Sequence, residues 1–218
     1  MPTKFNQIVE ELQGDFFFNE FKFRKKNNMF IKKDNNGFEA IEIQHWDGYD
    51  LDRDSRALVI KPLYMKRFNV LHTWQDKFSF KSKTDQNNNY SIIFDGESFN
   101  KQEDYFFPAD DSDFRQTLGV MKKDITNNAS AFFDMFSSLK NLYNYLILPI
   151  LDSKASLPDS GADWIFEYLI LSKVVDPPRY SKLKSAILNQ VEILNKRGEP
   201  NVTEYYPKLN DILLEIEG

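Results

Sequence analysis

Asp50, Asp52 and Asp54 stand at the first, third and fifth positions from which a calcium loop offers side-chain oxygens, with Asp47 just ahead of them. A hard cation needs several carboxylates converging on one point, and this spacing is one way a short loop supplies them. The rest of the pattern departs from that chemistry. The place that demands glycine is Ser55, and the place of the closing bidentate glutamate is Lys61, a cation. Asp47, Asp50, Asp52 and Asp54 therefore read first as a solvated loop between strands and second as a candidate metal cluster.

The stretch Ile41-Glu42-Ile43-Gln44 alternates apolar and polar residues as a half-buried strand does. Its E-x-Q pair resembles the E-x-K metal site of restriction-endonuclease-like cores. That chemistry wants a second carboxylate beside Glu42 to share Mg²⁺, and Asp34, in a turn, is the near candidate. The alternation has another consequence. If Ile41 and Ile43 face helices, then Glu42, Gln44 and Trp46 face the other way, and Lys22 and Arg24 alternate similarly on an earlier strand. An open sheet face carrying Arg24, Glu42, Gln44 and Trp46 is a candidate binding surface, although cross-strand charge pairs on a merely solvated face have the same pattern.

Other chemistries have little material. The chain has no cysteine, which excludes disulfides, thiolate zinc sites, iron–sulfur clusters and cysteine nucleophiles and suits a reducing compartment. Its 8 glycines are dispersed, so neither G-x-G-x-x-G nor G-x-x-x-x-G-K-[ST] occurs, and no cofactor is expected. There is no G-x-S-x-G elbow and no H-E-x-x-H. His45 and His72 are the only histidines; a paired site would need the fold to unite them. N-x-S/T tripeptides at Asn89, Asn128 and Asn201 arise readily by chance in an Asn-rich chain.

A net charge of -5 opposes general nucleic-acid binding. The start, Met1-Pro2-Thr3-Lys4-Phe5, has no apolar run of signal-peptide length, and no stretch approaches a membrane span, so the expectation is a cytoplasmic protein. Aromatic residues make up 15% of the chain, enough that some rings should lie on the surface.

The elements that must position these residues form an α+β outline: a helix, an antiparallel meander of about five strands, then a helical bundle. Thr3 caps a helix through Gln13, with Phe5, Ile8, Val9 and Leu12 on one face and Gly14 as the stop. Phe21–Arg24 and Met29–Lys32 form a hairpin about Asn27-Asn28. Asn35-Asn36-Gly37 turns into a strand Phe38–Trp46, the loop Asp47–Ser55 follows, and Arg56–Met65 is the next strand. Asn69–Phe78 reads as a short helix across the sheet, Ser82–Asn89 as a polar loop, and Tyr90–Phe94 as the fifth strand. Helical periodicity then starts at Asp110–Asp113 with Phe114, Leu118, Met121 and Ile125, and a separate helix carries Phe132, Phe136, Leu139, Tyr143 and Leu146. Asp163–Val175 is apolar nearly all round. Pro177-Pro178 opens a helix that Gly198 closes, and Asn201 with Glu204 is a capping pair for the last one. The expected division is 1–100 for helix and sheet and 109–218 for the helical region, joined through Lys101–Pro108, with a shared core left open.

The order of elements resembles a bacterial family catalogued only as a domain of unknown function. Phe5–Leu12, Phe21-Lys22-Phe23-Arg24-Lys25-Lys26 with Met29-Phe30-Ile31, and Ile41-Glu42-Ile43-Gln44 carry the resemblance, which covers about the first 140 residues. It implies an α+β fold and no catalytic site, and some members look like immunity or accessory proteins of toxin loci. The long acidic loop and the extra C-terminal helices depart from the pattern. The leading expectation is a non-enzymatic module that binds another protein, with an immunity-type inhibitor as one form of it; the alternatives are a metal-dependent hydrolase or nuclease using Glu42 with Asp34 or the Asp47–Asp54 cluster, and an oligomerisation module.

Overall fold

The computed structural model describes residues 3–101, 103–109 and 113–218. The acid-rich helix start expected at Asp110–Ser112 lies outside them. In chain order the elements are α1 (Lys4–Gln13), β1 (Lys22–Arg24), β2 (Met29–Lys33), β3 (Gly37–Asp50), β4 (Ser55–Phe68), α2 (Gln75–Phe78), α3 (Lys83–Asn88), β5 (Ile92–Asp95), α4 (Gly96–Asn100), β6 (Tyr105–Pro108), α5 (Phe114–Met135), α6 (Leu139–Leu146), α7 (Leu148–Leu151), α8 (Asp163–Val175), α9 (Pro177–Lys196), α10 (Pro200–Tyr205) and α11 (Leu209–Glu217). The fold class is α+β, as the periodicities predict.

The chain divides into two compact units, Met1–Arg67 with Ile92–Met135, and Phe68–Ser91 with Phe136–Gly218. This redraws the expected boundary near residue 100. The chain leaves the sheet after β4, returns for β5, β6 and α5, and leaves again. The first unit holds a six-stranded antiparallel sheet in the order β1-β2-β3-β4-β5, with β6 also on β4. Pro62 falls between the β4 residues that pair with β6 (Ala57–Ile60) and those that pair with β5 (Leu63–Lys66), where a missing N–H interrupts neither ladder.

One sheet face is buried by aromatic packing. Tyr64 of β4 stands opposite Phe94 of β5, and Phe132 of α5 lies 6.2 Å and 6.1 Å from their rings. Leu118, Met121, Ile125 and Ala129 continue the buried stripe of α5 at helical spacing. Ile41 and Ile43 are fully buried, and Phe30, opposite Ile41, packs on Phe18. The other face is not the open charged surface the alternation suggested: Met29, Ile31, Phe38, Ala40 and Met65 form a second apolar cluster there. Two strands' worth of apolar residues on both faces is the pattern of a sheet buried on each side.

α1 is capped as read, with the Thr3 hydroxyl accepting from the N–H of Asn6 and Gly14 ending the helix. Other boundaries move. β6 was read as a linker, yet Tyr105 and Phe107 point inward at period two and pair with β4. Ser82–Asn89 contains a helix because the Ser82 hydroxyl accepts from the N–H of Asp85. Phe132 belongs to α5 and not to the following helix; the chain breaks at Phe136–Ser138, where Ser138 caps α6. α10 begins at Pro200 behind Glu199, so Asn201 is inside the helix and caps nothing.

In the second unit α8 is the apolar rod its composition predicts, burying Ile165, Phe166, Leu169, Ile170 and Leu171. Trp74 lies 4.5 Å from Phe166 and 5.4 Å from Tyr205, so one indole joins the segment Asn69–His72 and α2 to α8 and α10. This segment was expected across the sheet. α9 buries Leu183, Ile187, Val191 and Leu194 along one face. No described helix is long and apolar enough to cross a membrane.

Asp95 gives this architecture a pH signature. Lys61 Nζ, 2.8 Å away, and the Ser98 N–H, 2.7 Å away, hold its carboxyl down at about 2. A lowered folded-state value stabilises the protein above the unfolded carboxylate range near 4, and that contribution disappears as pH falls through about 2. Asp95→Asn should therefore be less stable at neutral pH and lose less on acidification between about pH 4 and pH 2, as urea unfolding midpoints would show.

Candidate functional site

β3 and β4 are both 14 residues long, but β2 has only 5. The last β2–β3 partners are Met29 and Glu42, so β3 runs on to Asp50 past the end of β2. The shortening has a local cause. Lys25–Asn27 is a 3₁₀ turn, and Asn28 adopts a left-handed conformation with φ 49°, which Asn tolerates better than most residues. The chain thereby swings away from β3 as soon as the ladder ends.

A cleft of about 890 Å³ occupies the space beside the projecting strand. Lys4 and Phe5 of α1 form one wall, Phe23 and Lys25 the other, and His45 and Asp47 come from β3. Two of the contacts that hold α1 lie at this cleft. The Phe5 ring stacks on His45 at 3.7 Å, and Lys4 Nζ donates to the carbonyl of Pro108 in β6.

The end of the β3–β4 hairpin exposes large apolar groups. Trp46 is 43% exposed, Tyr49 49% and Leu51 86%, and Phe106 on β6, opposite Val59, is 36% exposed. Gly48 is required there by close approach: a Cβ on it would lie 2.4 Å from Cγ2 of Val59.

The four candidate binding residues fall in one region. Arg24, Met29 and Glu42 form a row across β1, β2 and β3, and Gln44 and Trp46 follow on the same face by strand alternation. Gln44 Nε2 donates to Glu42 at 3.3 Å. Glu42 is partly buried, while Gln44 and Trp46 are exposed.

The acidic residues do not converge. Strand β3 continues through Asp47 to Asp50, so the loop read over Asp47–Ser55 shrinks to a tight turn at residues 51–54. Asp50 is buried and accepts the N–H groups of Asp52 and Arg53 at 3.1 Å and 3.3 Å, closing that turn. Asp54 accepts the Tyr49 hydroxyl at 2.6 Å, which raises the pKa of the phenol. Asp34, proposed to share a metal with Glu42, accepts the N–H groups of Asn36 and Gly37. Among the described residues no three His, Cys, Asp or Glu side chains gather to hold a metal ion.

The histidines have separate surroundings. His45 stacks on Phe5 in the first unit. In the second, His72 Nε2 is 3.0 Å from Ser91 Oγ and its Nδ1 is 3.2 Å from Glu167. This is the order of a serine–histidine–acid relay, and sequence reading missed it because its members are far apart in the chain. The imidazole has no solvent exposure, and Ser91 Oγ already accepts the Phe68 N–H at 3.0 Å. Nδ1 lies near Glu167 without the geometry of a hydrogen bond, and in this conformation the trio reaches no substrate.

Three substitutions test the hairpin geometry. Gly48→Ala should cost about 1–3 kcal/mol in urea unfolding, because the β-branched Val59 has little rotamer freedom with which to yield. Asp50→Ala should cost about 1–2 kcal/mol by orphaning two turn N–H groups. Asp52→Ala should stay within about 0.5 kcal/mol. Equal, calcium-dependent losses from these two aspartates would instead identify a metal loop.

No family model matches the chain, and no curated protein sequence or solved structure is similar to it.

Proposed function

We propose that the chain is a non-enzymatic protein-binding module whose contact surface is the projecting end of the β3–β4 hairpin and the cleft beside it. The observation that carries this reading is that Trp46, Tyr49 and Leu51 are each exposed along the hairpin end where β3 has a free edge. Aromatic side chains are enriched in protein interfaces, where a buried ring contributes large contact area for few frozen rotors. Asp47 and Asp52 beside them offer a charged fringe of the kind that orients a partner.

The partner is a protein of the same compartment, which we take to be the cytoplasm, and no cofactor takes part. The net charge of -5 favours neither nucleic acid nor an anionic membrane surface. An immunity-type inhibitor is one form of such a binder. No observation favours the metal-dependent hydrolase, since Asp34, Asp50 and Asp54 are engaged in turns.

A photo-crosslinking amino acid at Trp46 or at Leu51, introduced in the protein's own cells, should give an adduct with a common protein. The same group at exposed Lys140 on α6 should not. Adducts that do not differ between hairpin and control positions would overturn the reading.

A further inference from the structure

We propose that the outer half of β3 is a strand-addition site whose occupant is an extended segment of the partner protein bearing acidic side chains. The proposal rests on the protein-binding reading and specifies its chemistry. The N–H of Ile43 donates to the carbonyl of Asn28 at 2.8 Å, the last tie between β3 and the chain of β2. That bond fixes the phase of the strand. Backbone groups of alternate residues point to the same side, so His45, Asp47 and Tyr49 present their N–H and C=O toward the side that β2 has vacated. The sheet neighbours of β3 are β2 and β4, and among the described residues no other strand lies along this edge. A row of backbone donors and acceptors of this kind is a template for an added strand. The cleft supplies the room, since His45 and Asp47 line it directly.

Charge selects the occupant. Of the four cations Lys22, Arg24, Lys25 and Lys26 on β1 and the turn after it, Lys25 lines the cleft, Lys26 follows it in the turn, and Lys22 and Arg24 alternate with the cleft-lining Phe23 on the opposite face of β1. Among the described residues none of the four has an acidic partner, whereas Lys32, Lys61, Lys66, Lys81 and Lys122 each do. Lys25 in the cleft wall, with Lys26 next to it, attracts carboxylates to the place where the open edge begins. Glu10 and Asp47 also line the cleft, so the acidic side chains of the occupant belong where it passes Lys25. Its backbone would pair with β3 while its alternate side chains enter the cleft.

The test is selection of a phage-displayed library of random short peptides on the full chain and on the triple variant Arg24→Glu, Lys25→Glu, Lys26→Glu. Peptides recovered on the unaltered chain should be enriched in Asp and Glu, should bind more weakly as salt rises, and should lose roughly tenfold or more in affinity to the variant. The best of them, synthesised with N-methyl groups on alternate residues, should lose roughly tenfold or more in affinity for the unaltered chain, because the blocked amides cannot pair with the edge. This second arm leaves the protein intact and does not depend on the variant's folding. Recovery of no peptide, enrichment of neutral or basic peptides, or equal binding of the N-methylated form would overturn the proposal. If the library fails while crosslinking from Trp46 and Leu51 persists, strand addition falls and the protein-binding reading stands. Loss of both removes both.

Discussion

An antiparallel strand has two edges, and each must find partners for its N–H and C=O groups in protein or in water. β3 satisfies one edge along the hairpin with β4, but the five residues of β2 cover only its first part. The positions of α1, the β1–β2 turn and the cleft follow from that mismatch. With a longer β2 the left-handed Asn28 would be unnecessary, Lys25 would lie farther from His45, and the space between α1 and β3 would hold a strand. The shortness of β2 is encoded locally, in the Lys-Lys-Asn-Asn run that favours a turn over continued ladder.

An exposed edge carries the hazard of pairing with the wrong chain, and the composition of β3 answers it. The stretch Gln44–Asp50 contains two aspartates, a glycine and a histidine, which lower its tendency to stack on copies of itself. Gly48 admits the close approach of Val59 and also weakens the strand, so the hairpin end is held by the Asp50 turn and by Phe5 on His45 more than by strand propensity. Farther in, Phe132 over Tyr64 and Phe94 anchors the same sheet with large buried rings. Buried packing thus thins from the Phe132 region toward the tip, where apolar side chains are left exposed.

Elements written in one local pattern were legible in the sequence. Thr3 and Gly14 bracket α1, the Asn-rich turns place the first hairpins, and the all-apolar run of α8 ends at Val175 as read. The alternation about Ile41 and Ile43 also put Glu42, Gln44 and Trp46 on one face. What failed depended on distant partners. β6 is a four-residue strand whose only evidence is its place on β4, and Ser91, His72 and Glu167 meet through tertiary folding. The acidic spacing misled for a physical reason: aspartate is favoured both as a cation ligand and as an acceptor that closes turns. The unequal lengths of the second and third strands were legible, but the open edge was not, because the continuation of β3 from Asp47 to Asp50 reads in the sequence as loop.

The overall charge and the local charge at this edge have opposite signs, and distance decides between them. A net charge of -5 repels an acidic segment at long range, but screening confines such repulsion to about 8 Å at physiological ionic strength. Glu10, Asp47 and Lys25 all line the cleft, so attraction prevails where the acids of the occupant pass Lys25 and Lys26. The field therefore slows encounters with acidic partners in general while rewarding the one whose acids reach this wall, and selectivity comes from placement. The backbone edge adds affinity that does not depend on sequence. The two terms are complementary: hydrogen bonds along β3 would hold any extended segment, and the cations beside it determine which segment gains most.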